Sequence, residues 1–250
     1  MKKTFIFLMM CLLGGINSVM AQEVVTIDSE NAVLHDKVPI YANYEYSTSQ
    51  QIYTAAELNI PSGSIIKSIA FSTALYNGTN SYSHKRNIEV YLVNTTQGTF
   101  SGNTMNQLSL SDKVFDGEIT FASEQWITIT LTNEFGYEGN NILVCVHDKT
   151  GKFVPSAQYY PYFNTFSVSG LRVLRKHKTS SYGDPTTAAQ SECSTVFNAP
   201  FIKFTYVKGS SSTPTPPTVN LKSPDNGATG IFNPSLSFTL GDAKQYKIQM

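Results

Sequence analysis

The chain is short of charge. Asp, Glu, Lys and Arg make up only 14% of its 250 residues, against about 25% in an ordinary soluble domain. The 18 basic residues are matched by 18 acidic ones. No basic excess exists to hold a phosphate backbone, which argues against nucleic acid as a partner. Tryptophan occurs once and cysteine three times. Helical periodicity is nearly missing, and so is any fixed repeat, which excludes coiled coils and solenoids. In place of charge stand 27 Ser, 26 Thr and 18 Asn, together with 15 Phe and 14 Tyr. With 41% hydrophobic residues the chain can bury a sizeable core and is not a disordered segment.

Residues 1–21 have the pattern of an export signal. Lys2 and Lys3 precede an apolar run from Thr4 to Gly15, and Val19, Met20 and Ala21 offer small residues for cleavage before Gln22. The run falls short of the roughly 20 residues a membrane helix needs, so no transmembrane span is expected after cleavage. The remaining chain has 16 basic and 18 acidic residues, a net charge of −2. An exported protein, extracellular, at the cell surface or periplasmic, is the expectation. Residues 208–217, rich in Ser, Thr and Pro, read as a linker. Residues 218–250 read as the start of an Ig-like β domain, whose full length is about 100 residues. The chain is therefore expected to be a piece of a longer protein.

Residues 22–207 carry strand signals throughout. Ile65–Phe71 is a buried run. Arg86–Val93 and Gln125–Leu131 alternate, the latter with Ile127, Ile129 and Leu131 on one face. Asn141–His147 is apolar on both faces, as in a central strand. Leu171–Arg175 and Pro200–Val207 follow, and weaker strands are expected at Val24–Ile27 and Val114–Phe121, the latter with Asp116-Gly117 as a hairpin turn. Only Thr54–Leu58 suits a helical turn. The fold expected is all-β, an antiparallel β-sandwich or jelly roll, followed by the truncated Ig-like segment. Long connections at 150–170 and 178–199 are where function would sit.

Few residues suggest chemistry. No hydrolase, metalloprotease or phosphate-loop motif occurs. Cys145 and His147 lie two apart on a strand, too far for a thiolate–imidazole bond. After cleavage Cys145 and Cys193 remain, which in an oxidising compartment pair as a disulfide, or stand as a core residue and a loop thiol. Glu138, Asn140 and Asp148 are candidate oxygen ligands for a structural Ca²⁺, with a glycine-bearing hairpin loop as the plainer reading; no other cofactor is indicated. The densest aromatic stretch, Gln158–Phe163, makes Tyr159, Tyr160, Tyr162 and Phe163 the candidate contact residues. Exposed rings offer flat faces to sugars or proteins, unless the loop folds over a sandwich edge and buries them.

Several blocks occur in a familiar order: Ser49–Leu58, Gly63–Phe71, Arg86–Leu92, Val114–Gly117, Trp126–Leu131 and Phe135–Gly151. This order resembles β-sandwich modules in secreted and cell-surface proteins of Bacteroidota, distantly akin to the adhesin-like jelly rolls that accompany gingipain-type proteases. The likeness covers residues 45–207. Residues 219–250 resemble the opening of a fibronectin-III or Ig-like repeat. The resemblance implies adhesion, with a glycan or a host or cell-surface protein as partner, and surface display. The expected function is a non-catalytic extracellular binding module. The alternatives are an accessory domain of a secreted protease or glycosidase, and a structural spacer.

Overall fold

The computed structural model describes residues 21–35, 37–75, 81–179 and 183–209, with the backbone of 221–223 and 237–238. The chain divides into two compact units, Met1–Gly209 and Ser210–Met250. The segments expected to be an export signal, a linker and an Ig-like domain lie mostly outside the described residues. In the second unit, strands Leu221–Ser223 and Ser237–Phe238 pair antiparallel.

The first unit contains, in chain order, β1 (Gln22–Ile27), β2 (Val33–His35), β3 (Tyr46–Tyr53), a one-turn helix α1 (Ala55–Leu58), β4 (Ile65–Ala74), β5 (Ser83–Thr95), β6 (Lys113–Ala122), β7 (Trp126–Gly136), β8 (Asn141–Asp148), β9 (Tyr162–Ser167), β10 (Val173–Lys178), β11 (Ser194–Val196), β12 (Asn198–Pro200) and β13 (Ile202–Val207). Every ladder is antiparallel. One sheet runs β1-β13-β4-β9-β12, with β7 on β4 and β2 on β9; the other runs β11-β10-β3-β8-β5-β6. The fold is an antiparallel β-sandwich. Its main core combines Ile69, Phe71, Ile129 and Phe204 of the first sheet with Tyr53, Val90, Val144 and Val173 of the second. Among the described residues no helix is long and apolar enough to cross a membrane.

The alternating segments become strands where their patterns place them, with Ile127, Ile129 and Leu131 inward and Thr128 and Thr130 exposed. α1 forms because Thr54 and Glu57 make a reciprocal capping box. The Glu57 carboxylate also holds Arg172 through two bonds of 2.7 and 2.8 Å, tying the helix to the approach of β10. Asp116-Gly117 is not a turn. Both residues lie inside β6, opposite Glu89 and Ile88 of β5. The Phe115 ring folds over Gly117: a Cβ there would meet that ring at 3.1 Å, and the ring would have to shift by a few tenths of an ångström.

β3 has no apolar pattern, yet Ser47, Thr48, Ser49, Gln50 and Gln51 are all buried. The side chains of Ser47, Thr48, Ser49 and Gln50 find partners outside the strand. Ser47 accepts from the Tyr41 amide at 2.9 Å. Thr48 and His147 share a 2.7 Å hydrogen bond. Ser49 donates to the Pro39 carbonyl at 2.6 Å. Gln50 donates to the Asn106 carbonyl at 2.8 Å and accepts from its amide at 2.9 Å, as a neighbouring strand would.

The two outer faces of the sandwich differ. On the six-stranded sheet, Phe100, Met105, Leu108 and Cys193 from two loops cover Ile52, Tyr91, Leu143, Cys145 and Leu174. The loops are laced to each other through Met105 N–Gln190 O (2.9 Å), Leu108 N–Pro185 O (3.0 Å) and Cys193 N–Asn103 O (2.9 Å). The seven-stranded sheet presents a row Thr26–Lys203–Ala70–Thr128 and a row Val24–Thr205–Ser68–Thr130, of which Val24, Thr26, Thr128 and Thr130 are exposed.

Candidate functional site

The aromatic stretch packs rather than projects. Phe163 is fully buried and meets Phe121 edge-on at 5.8 Å. Tyr160 is buried with Ala42 and Val154, and its hydroxyl donates to Asn43. Tyr162 is half-buried at the start of β9, its amide donating to the Tyr82 hydroxyl at 3.1 Å. Tyr159 alone of the four is exposed. The expected shared contact surface of Tyr159, Tyr160, Tyr162 and Phe163 is thus corrected. Residues 162–167 form a strand against β4 and β2, which turns Phe163 inward. Tyr160 helps close the sandwich end together with Tyr41, whose ring lies 6.4 Å away.

The candidate calcium ligands are not brought together. Glu138 and Asn140 precede β8 and Asp148 ends it, so the eight residues of β8, about 26 Å of strand, separate them. Asp148 is fully buried and bound to Arg86, with Nη2 at 2.6 Å and Nε at 2.8 Å. Among the described residues no group of three or more His, Cys, Asp or Glu side chains is placed to hold a metal ion.

Cys145 and Cys193 do not form the disulfide. Both are free and buried in the apolar layer outside the six-stranded sheet. The Cys193 thiol donates to the Gln190 carbonyl at 3.0 Å instead. Burial pushes the Cys145 thiol well above its ordinary range. Burial also drives the His147 imidazole down to about 4. These shifts run opposite to what a thiolate–imidazolium pair requires. Across the strand from His147, Glu89 binds Lys149 and Lys113 at 2.9 and 3.0 Å and the Tyr91 hydroxyl at 2.8 Å. Burial opposes its ionisation, but Lys149, Tyr91 and Lys113 outweigh this and hold its carboxyl at about 2. The result is a structural charge network.

The residue the sequence reading passed over is Trp126. It opens β7 opposite Ser72 of β4 and is partly exposed. On the other side of β4, Lys203 of β13 lies opposite Ala70. Because β4 carries only small side chains there, the indole and the lysine meet above it, with the ammonium 3.9 Å from the ring centroid. Surface hollows flank the indole. One of about 380 Å³ is lined by Ser72, Glu124, Gln125 and Asn164. Another of about 350 Å³ is lined by Glu118, Thr120, Gln125 and Thr128. Asn164 is fixed by Ser72 at 2.8 Å. Gln125 is fixed by its backbone, whose amide and carbonyl both bond the Thr73 hydroxyl, at 3.1 and 2.9 Å. An aromatic ring between hydroxyl, amide and carboxylate side chains can stack on an apolar face while hydrogen-bonding the groups around its rim. The available signal was the chain's single tryptophan, at the start of an alternating strand.

No protein-family profile matches the chain, and no curated protein does. Similarity to solved structures is at a low level, and two of them illustrate it. One comprises the cysteine protease and lectin-like domains of Cwp84, a surface layer associated protein of Clostridium difficile, at 12% identity and a TM-score of 0.34 over 72% of this chain and 36% of that one. The other is a cysteine-to-alanine variant of the clostridial cysteine protease Cwp84 after propeptide cleavage, at 13% identity and a TM-score of 0.35 over 75% and 40%. The chain thus spans well under half the length of either.

Proposed function

We propose that the protein is a non-catalytic, exported carbohydrate-binding module that works as an accessory domain beside other domains of a surface or secreted protein. The observation that carries this reading is Trp126, a partly exposed indole between two polar hollows on the uncovered sheet face. The site needs no perturbed nucleophile or metal; it offers a flat ring and fixed polar groups. The Ser-, Thr- and Asn-rich surface and the signal-like first 21 residues support export.

Trp126 is the only tryptophan, so its fluorescence, excited apart from tyrosine, reports the site directly. Titration with a panel of neutral oligosaccharides is expected to give a saturable change for at least one. Trp126→Ala is expected to weaken that binding about tenfold or more, measured by calorimetry. A panel that leaves Trp126 silent and binds nowhere would replace this reading with the structural spacer.

A further inference from the structure

A second concavity lies on the opposite sheet, where β10 meets the loop 183–191. It measures about 310 Å³ and is lined by Lys176, Lys178, Asp184, Thr187, Gln190 and Ser191, among others. Lys176 and Lys178 are two apart on β10 and project from the same face. Lys85, Lys113 and Lys149, on or beside the same sheet, each hold a carboxylate. Among the described residues, neither Lys176 nor Lys178 has a carboxylate within 4.0 Å. Asp184 shares the cleft, but its Oδ1 accepts from the Thr186 amide and hydroxyl at 2.8 and 2.7 Å. The Lys176 ammonium is aimed by donating one of its three N–H bonds to the Ser191 carbonyl. Beneath lies a void of about 10 Å³ that reaches Thr48 and His147, room for about one water. Thr48 and His147 place two polar side chains at that depth.

Two lysines with no carboxylate within 4.0 Å among the described residues, facing a cleft of monosaccharide scale in which Asp184 is turned to Thr186, leave a place for an oxyanion. We propose that this cleft binds an acidic sugar unit, its carboxylate or sulfate ester held by Lys176 and Lys178 and its hydroxyls by Thr187, Gln190 and Ser191. The site is on the other sheet from Trp126 and does not depend on the reading given for that face.

The test is calorimetry on the full chain with tetragalacturonate, its methyl ester and galactose 6-sulfate. At least one of the two anions is expected to bind, and the tighter one identifies the acid as carboxylate or sulfate. Removing the charge, by methyl ester or by K176Q with K178Q, is expected to cost tenfold or more. Affinity is expected to fall as salt rises, and Trp126→Ala to leave it unchanged. Should the double variant lose its melting transition, Lys178→Gln alone, at an exposed position, is expected to give a loss of several-fold. Failure of both anions to bind at millimolar concentration, equal binding of the methyl ester, or full affinity in the lysine variants overturns the proposal.

Discussion

His147 sits on β8 beside Thr48, and burial sets its imidazole at about 4. Glu89 and Asp184 pull that value up and Lys149 and Lys113 push it down, but desolvation dominates. The folded value lies below the roughly 6.5 of an unfolded histidine. Between those values the unfolded chain binds more protons, so stability falls as pH drops from about 6.5 to 4. The full effect is on the order of 3 kcal/mol. His147→Gln is expected to flatten that part of a denaturant-midpoint curve against pH. His177, lowered by burial and by Arg175 and Lys37, leaves a residual slope of the same sign. Two neighbours in the aromatic stretch should behave in opposite ways. Phe163→Ala is expected to cost about 3–5 kcal/mol of unfolding free energy, and Tyr159→Ala less than about 0.5. Sequence could count those rings but not sort them. Which ring goes inward is decided by the register of β9 against β4 and β2, strands contributed from elsewhere in the chain.

The elements easiest to read were those whose pattern is local. β5, β7 and β8 announce themselves by alternation or continuous apolarity, and α1 by its capping box. β3 was illegible because its burial rests on hydrogen bonds to residues 6 to 99 positions away. No local window contains both ends of the bonds from Thr48 to His147 and from Gln50 to Asn106. The turn expected at Asp116-Gly117 failed for a related reason: both residues continue the β6 ladder against Glu89 and Ile88 of β5, a pairing outside any local window. β3 also makes a prediction. Gln50→Ala deprives the Asn106 amide and carbonyl of their partner and should cost about 1–3 kcal/mol. Hydrogen exchange is expected to quicken first at Asn106 and Met105, in the loop that Gln50 holds down, before the central ladders respond.

At the scale of the molecule, the fold class and most strands were available from the sequence, while the candidate surface moved from the Tyr-rich loop to Trp126, whose hollow borders the same β9 strand at Asn164. Among the described residues, loops cover the outer face of one sheet, while the other exposes Val24, Thr26, Thr128 and Thr130. β1 is the edge of the latter sheet and pairs along its whole length with β13, from Gln22–Val207 to Ile27–Ile202. A chain from Gln22 to Gly209 is therefore expected to unfold in one cooperative transition by calorimetry. Beginning it instead at Asp28 removes the packing of Val25 and Ile27 and should lower Tm by about 5 °C or more.

The polar central strand also dictates an order of events. Tyr46–Gln51 cannot be buried until β8 and the loop around Asn106 have arrived, since only they satisfy Thr48 and Gln50. While the chain is unfolded, this stretch offers no apolar strand for misassociation. It should then join the sandwich after the rate-limiting step. Conservative substitutions at Thr48 and Gln50 are expected to speed unfolding while leaving the folding rate nearly unchanged, giving φ-values near zero in a chevron analysis.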